Sequence, residues 1–391
     1  MWLIHNQHGT GPYAKILEQA EALQDLGARV TVLCTSEVAH LRMSATTERG
    51  VHVLLAPDLL WGRLRQGVDP WNVLRRIGFA SRNAFDVMHA VDSRPVVILP
   101  ALWRKLLVGT PLVLSWWDLF GRGGTARDRW GALYARTFGV LEGQWEILFR
   151  RYADRATVIS TDLGKRLEAM GYPRERIHLQ RVGCNTRAYA PSDKLTARAA
   201  AGLPLQATIL CYVGAMQPPD RRLLFDALEL VADRYRGELL TLMIGTPRGR
   251  REVPSRARLA WVERQPLHAV YRYLAAADLC LLPLCESVAN RARWPSKAAD
   301  YFNAGRPVVT TRVSDFEQLY AEYALGYLAE QSTAEGYAEA IVRALNTRAE
   351  WEEMGQSCRR FAEERLDTRV LAKELLALYE DAQRNRSKGS H

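Results

Sequence analysis

The chain has no uninterrupted apolar run of the roughly 18 residues that a membrane span needs. Its most apolar stretch, 95–117, is broken by Pro100, Arg104, Lys105 and Pro111. Met1 runs straight into WLIHNQ, without the basic start and apolar centre of a secretory leader, which reads as a cytoplasmic protein. The six cysteines stand apart at 34, 184, 211, 280, 285 and 358, and no CxxC pair occurs. Several fall in apolar strand-like runs, so buried free thiols are expected in place of a zinc site or a disulfide framework. No RNP, zinc-finger or helix-turn-helix pattern is present, and nucleic acid is not an expected partner. Nothing resembles the matched carboxylate pair of a glycoside hydrolase, so no enzymic nucleophile is assigned.

At 391 residues the chain exceeds one ordinary core, and two domains are expected. Apolar residues make up 48% and charged residues 25%, the balance of an ordinary globular enzyme. The net charge of +10 is uneven: residues 1–185 carry 24 Lys/Arg against 17 Asp/Glu, which leaves +3 for the rest. A basic first half suits an acidic partner, such as a phosphorylated small molecule or an anionic lipid surface.

Short apolar strands alternate with helical stretches. Expected strands are 2–6, 29–35, 51–56, 86–91, 111–117, 156–160 and 177–182, then 208–214, 239–245, 257–263, 279–284 and 307–311. Continuous Val/Ile/Leu runs between helices mark parallel strands buried on both faces. Two such sets in succession predict an α/β fold of two doubly wound, Rossmann-like domains facing a cleft at the carboxyl ends of their strands. The join is expected in CNTRAYAPSDK (184–194), giving domains 1–187 and 188–370. Residues 371–391 complete the chain as a helix and a disordered tail, NRSKGSH.

HNQHGTGPYAKILEQAEAL follows the first strand. Its Gly9-x-Gly11-x-x-Ala14 spacing, with Thr10 between the glycines, lets backbone amides approach an anion at a helix N-terminus. Glu37, ending the next strand, is placed to hold a ribose hydroxyl. An NAD(P)-dependent oxidoreductase is therefore one reading, and a tight turn that binds nothing is another. A second stretch, RWPSKAADYFNAGRPVVTT (293–311), has more to offer. Pro295 and Ser296 open a short helix, Lys297 and Asp300 share one of its faces, and Gly305 with Pro307 stops it. The lysine and the helix N-terminus suit a phosphate, and the aspartate suits a pair of sugar hydroxyls. The alternative is an exposed ion pair of little worth.

LCLLPLCESVANRARWPSKAADYFNAGRPVVTT resembles the donor-binding segment of retaining GT-B glycosyltransferases of the family 4 type (glycosyl transferases group 1). Gly305-Arg306-Pro307-Val308-Val309 matches its end, and Asp300 occupies the position of the carboxylate that holds the nucleotide ribose in that family. HGTGPYAKILEQAEALQDLGARVTVLCT resembles the family's first glycine loop and helix. VISTDLGKRLEAMGYPRERIHLQRVGCNTRAY resembles the crossing into the second domain, with Asn185 where Asp is usual. ILCYVGAMQPPDRRLLFDALELV resembles the strand, loop and helix that open it, and the last helix in this fold returns to the first domain.

The resemblance covers nearly the whole chain. It implies a GT-B fold and transfer of a sugar from a nucleotide-sugar, UDP-linked rather than GDP-linked, with retention and with no metal or other cofactor. For the donor it implies Gly9, Thr10, Gly11, Gly214, Arg221, Arg222, Asn290, Arg291, Ser296, Lys297 and Asp300. For catalysis it implies Lys297 and Arg222 on the leaving diphosphate, and Asp118 orienting the acceptor or the donor sugar. His8 is a further candidate for a bond to substrate. Three positions depart from the family pattern. Ala292 stands where its first glutamate is usual, with Glu286 nearby on a longer loop. Ala215 and Met216 follow Gly214 where Arg and Lys are usual. Trp117-Asp118 replaces His-Asp. These departures keep open a catalytically silent relative that binds nucleotide or glycan.

WGRLRQGVDPWNVLRRIGFASRN (61–83) has five Arg against one Asp, with Trp61, Trp71 and Phe79 among them, and GRGGTARDRW (121–130) is similar. Both suit an anionic or lipid-linked acceptor and peripheral contact with the inner face of a membrane. The other reading is a solvated basic helix whose aromatics lie in the core.

Overall fold

The computed structural model describes residues 1–38, 41–60, 62, 67–121, 123–125, 131–189, 192–246 and 256–388, with side chains to 385. The chain divides into two compact units: Met1–Arg181 with the segment from Thr368 onward, and Val182–Asp367. The sequence had set these limits at 187/188 and 370/371.

In the first unit the strands are β1 (Trp2–Gln7), β2 (Thr31–Thr35), β3 (Ser44–Glu48), β4 (Val51–Ala56), β5 (Met88–Val91), β6 (Leu112–Trp116), β7 (Arg155–Val158) and β8 (Ile177–Leu179). They form one sheet in the order β3-β4-β2-β1-β5-β6-β7-β8, in which β3 alone runs antiparallel, against β4. Helices α1 (Gly11–Asp25), α2 (Pro70–Arg82) and α3 (Pro95–Val108) are the first three of this unit. The second unit is a parallel sheet of β9 (Thr208–Val213), β10 (Leu239–Ile244), β11 (Leu259–Val262), β12 (Leu279–Leu282), β13 (Val308–Thr311) and β14 (Gly326–Ala329), ordered β11-β10-β9-β12-β13-β14. Strand order reverses between β1 and β5 and again between β9 and β12. The loops leaving those strands are where an open α/β sheet receives a ligand.

Every expected strand is present: most are trimmed at one or both ends, β4 keeps its expected limits, and β1 and β7 each reach one residue beyond theirs at one end. The sequence missed β3 and β14. SATTE has no apolar run because it is a largely exposed edge that pairs only with β4, and GYLA is a four-residue edge strand beside β13. Cys34, Cys184, Cys211, Cys280 and Cys358 are buried free thiols, and Cys285 is partly buried. The helix Thr368–Lys388 runs on through the first residues of NRSKGSH, where a disordered tail was expected. Its Ala372 and Leu375 join Ile16, Ala20 and Leu23 of α1 in one core.

In the basic segment 61–83, read as a membrane-facing or a solvated helix, one described arginine turns inward. Trp61, Arg63 and Arg65 lie outside the described residues. Arg76 is fully buried, where it donates to Ile4 O at 2.8 Å, Leu33 O at 3.3 Å and Thr35 Oγ1 at 3.1 Å. A charge-bearing side chain thus ties α2 to β1 and β2, which removes it from any surface.

Tyr337 does comparable work in the second unit. Its hydroxyl accepts from Leu282 N at 3.0 Å and donates to Val309 O at 2.8 Å, bridging β12 and β13 in the core. Tyr337→Phe takes this partner from two buried backbone groups and is expected to cost about 2 kcal/mol, read from denaturant unfolding. An unchanged midpoint would show that the bridge contributes nothing.

Candidate active site

In the second unit β9 leads into Gly214, whose φ of +86° only glycine adopts without strain. A Cβ there would also lie 3.8 Å from Lys297 Nζ. The helix Lys297–Asn303 begins after Ser296, which is exposed and makes no side-chain cap bond, and Gly305 follows its end at φ +64°. Lys297 and Asp300 do not form a pair. The Lys297 ammonium lies 4.0 Å above the Tyr212 ring centroid, bonds the Tyr212 hydroxyl and donates to Ala215 O at 3.2 Å. Burial, with Arg293 adding and Asp220 opposing, pushes it down to about 7. Asp300 faces elsewhere: its Oδ1 accepts from the Tyr271 hydroxyl at 2.9 Å, and Tyr271 stacks on Tyr189 at 4.2 Å.

Asp220 holds this region together. It is buried in the first turn of the helix Pro218–Arg234. Its Oδ1 accepts from Cys285 N at 2.9 Å and Asn290 Nδ2 at 2.8 Å, and its Oδ2 accepts from Arg293 Nη2 at 2.7 Å. Asn290, expected to touch the donor, is therefore a buried strut, bonded to Cys285 O as well. Arg291 pairs with Glu286, and both are exposed. Glu286 is thus engaged at the surface, while Ala292, at the family glutamate's place, is buried. Of the two arginines expected near the diphosphate, Arg222 is exposed. Arg221 is half-buried, with Nε buried and unpaired, and its charge acts on Tyr212. Arg221, Arg293 and Lys297 thus surround Tyr212 with one carboxylate, Asp220, among them. The sequence reading missed Arg293, Asp220 and Tyr212. Arg293 heads the singled-out stretch, but its role depends on a partner 73 positions away.

In the first unit the Gln7–Thr10 turn is closed by Thr10 Oγ1 on Gln7 O at 2.6 Å, and Gly9 takes φ +74°. The Glu37 carboxylate comes so near that a Cβ on Gly9 would meet Oε1 at 2.9 Å. A Cβ on Gly11 would meet nothing within 4 Å, so its lack of a side chain is not a packing requirement. His8 is occupied by Glu48 at 2.5 Å, which also accepts from Tyr13 at 2.9 Å. Burial raises Glu48, and the bonds from His8 and Tyr13 outweigh it, leaving the carboxyl lowered.

At the end of β5, Asp92 is buried with φ +62°, a strained value for aspartate. Its Oδ1 accepts from Trp117 N at 2.9 Å and Asp118 N at 3.3 Å, which fixes the turn after β6. Burial and the neighbouring Asp118 push Asp92 up to about 7, against Trp117 N–H and Arg150. Glu146 braces the same turn, accepting from Trp116 Nε1 at 2.7 Å, Phe120 N at 3.1 Å and Gly121 N at 3.2 Å. Asp118 is thereby held at the carboxyl end of the sheet. Among the described residues, no group of three or more His, Cys, Asp or Glu could hold a metal ion.

Two doubly wound sheets in one chain, each with a glycine turn at its switch point, define the GT-B class. Residues 9–183 match the family described as glycosyl transferase 4-like domain, and residues 207–347 match glycosyl transferases group 1. The chain belongs to the family 4 type of GT-B glycosyltransferases. It is 26% identical over 219 residues to a D-inositol 3-phosphate glycosyltransferase of Nocardia farcinica, a match covering 52% of this chain and 47% of that protein. The match thus spans about half the length of that curated relative. Sucrose-phosphate synthase from Thermosynechococcus elongatus has the same fold, with a TM-score of 0.75 and 16% identity over 97% of this chain and 98% of that one. Anabaena HepE in complex with UDP and glucose has a TM-score of 0.70 and 14% identity over the same shares of both chains.

Proposed function

We propose that this protein transfers a glycosyl group from a UDP-sugar to an acceptor hydroxyl with retention of configuration and without a metal cofactor. The observation that carries the reading is the group of Arg221, Arg293 and Lys297 around Tyr212, beside Gly214 at a sheet switch point. Negative charge builds on the diphosphate as the anomeric bond breaks, and fixed cations there stabilise it more in the transition state than before it. A donor phosphate oxygen takes the acceptor proton as the acceptor attacks from the leaving-group face, and Asp118 orients the sugar or acceptor. HepE, which shares the fold, holds UDP and glucose, and this favours uridine. The acceptor side is read as anionic: the Nocardia relative is named for an inositol phosphate. The first unit has 29 Lys/Arg against 20 Asp/Glu, and the second has 24 against 23. An NAD(P)-dependent oxidoreductase would leave this second-unit cation group without a role.

Calorimetry with UDP, GDP and NAD tests the reading. Saturable binding of UDP unaffected by EDTA is expected. NAD binding alone would restore the oxidoreductase, and no binding would leave a silent relative. Asp300→Ala is expected to weaken UDP by about 1–3 kcal/mol if the carboxylate accepts from ribose, while Tyr271→Phe preserves binding. Unchanged affinity in Asp300→Ala removes that role. Turnover followed by NMR of the product anomer decides retention.

A further inference from the structure

Gly305 follows the helix Lys297–Asn303 and lies against Gly355 of the helix Trp351–Phe361. A Cβ on Gly355 would come 2.6 Å from Gly305 O. Both glycines help to wall a cavity of about 390 Å³ within the second unit. Other parts of the wall are Ala277 and Asp278, just before β12, and Arg306 and Pro307, just before β13. The cavity thus lies at the amino ends of these strands. Gly214 follows the carboxyl end of β9, and β9, β12 and β13 are parallel. The cavity and the cation group around Tyr212 are therefore at opposite edges of one sheet.

Four cations line the cavity, Lys194, Arg306, Arg359 and Arg360, against the two carboxylates Asp278 and Glu352, an excess of two positive charges. Asp278 is already engaged: it is buried and accepts from Lys194 Nζ at 2.7 Å and Arg198 Nη2 at 2.6 Å. Arg359 pairs with Glu363 at 2.7 Å. Arg306 and the exposed Arg360 make no ion pair among the described residues. Arg306 donates instead to Leu274 O at 3.0 Å and Ala275 O at 2.6 Å, neutral groups that fix its direction without cancelling its charge. Burial pushes its guanidinium down, with Cys280, Asp278 and Glu352 opposing. An anion beside it would stabilise the charged form.

We propose that this cavity is a second ligand site, taking a small phosphomonoester of sugar-phosphate size, with its phosphate on Arg306 and Arg360 and its organic part against Trp351 and Pro307. A phosphomonoester carries about 1.5–2 negative charges at neutral pH, which matches the excess in the lining, and planar guanidinium forks suit phosphate oxygens. Trp351 and Pro307 give the cavity an apolar side for the rest of the ligand. Arg359 in the same wall donates to Asn303 O at 3.0 Å, so the ligand would sit at the far end of the helix that carries Lys297 and Asp300. Such a site is independent of whether the chain transfers sugars.

Calorimetry of the whole protein with glucose 6-phosphate tests it, in saturating UDP so that the donor segment is occupied. Binding of one molecule per chain is expected, with glucose silent. Arg360→Ala should weaken it roughly tenfold and Arg360→Glu further, both with an unchanged melting temperature, while Lys297→Ala retains it. No binding by the wild type overturns the proposal, as does full affinity in both Arg360 variants or binding of glucose as tight as that of its phosphate. A loss in Lys297→Ala with none in Arg360→Glu overturns it as well, in favour of the donor segment. Should UDP itself fail to bind, the transferase reading falls, while the same variant comparison still decides this site.

Discussion

Lys297→Ala is expected to lower kcat/KM for the nucleotide-sugar by roughly 100- to 1000-fold, the usual cost of removing one group that stabilises charge in a transition state. The lysine is placed for this beside Gly214, with the Tyr212 ring beneath it. The same burial that positions the ammonium weakens its hold on the proton, to about 7 in the unliganded protein. The sign follows directly. Below about 7 the group is charged and ready for a diphosphate, and above it an increasing fraction is neutral. kcat/KM should therefore fall as pH rises through that value, and Lys297→Arg should move the fall to higher pH because a guanidinium keeps its charge. A bound diphosphate raises the lysine again, so UDP binding at about pH 8 should take up roughly one proton. Calorimetry in buffers of different ionisation enthalpy reads that uptake. Equal uptake by the wild type and Lys297→Arg would sink the assignment.

Asp220→Ala should give the largest loss of stability. The substitution strands Arg293, leaves Cys285 N without the Asp220 acceptor and takes from the Asn290 amide one of its two oxygen acceptors. Removing one partner of a buried pair costs 3–5 kcal/mol. Arg293 keeps 23% of its side-chain exposure, so the lower end applies, about 3 kcal/mol, or a melting shift of roughly 6–12 °C. UDP affinity should fall as well, since the loop carrying Arg293 loses its anchor. Asp220→Asn keeps an acceptor for both amides and should fall between alanine and the wild type. A melting temperature within about 1 °C of the wild type for Asp220→Ala would show that the network is not structural.

The strands were legible because parallel strands are buried on both faces and write themselves as Val/Ile/Leu runs. β3 and β14 were not: SATTE is an exposed edge without an apolar run and GYLA is an edge of four residues, whereas the edges β8 and β11 carried enough apolar residues to be read. Lys297, Asp300 and Gly305 were readable as a group because one short helix spaces them. What spacing could not tell was direction: Lys297 turns to Tyr212 and Asp300 to Tyr271. The partners that decide this, Asp220 among them, arrive from other strands and helices, and no local pattern marks them. Arg76 shows the opposite error. It reads as one of a run of surface cations, yet its guanidinium closes backbone carbonyls of β1 and β2.

The second unit is an insertion within the first: the chain leaves after Arg181 and comes back at Thr368. Cys184 N donates to Leu366 O at 2.9 Å, so the outgoing and returning strands lie side by side. A growing chain therefore finishes Val182–Asp367 while α1 still lacks Ala372 and Leu375. The half begun first is sealed last, and its apolar flank stays uncovered until Ala372 and Leu375 have been made. Nascent chains that stop before Thr368 would present that flank to chaperones and proteases, so quality control of this fold falls on the helix Thr368–Lys388.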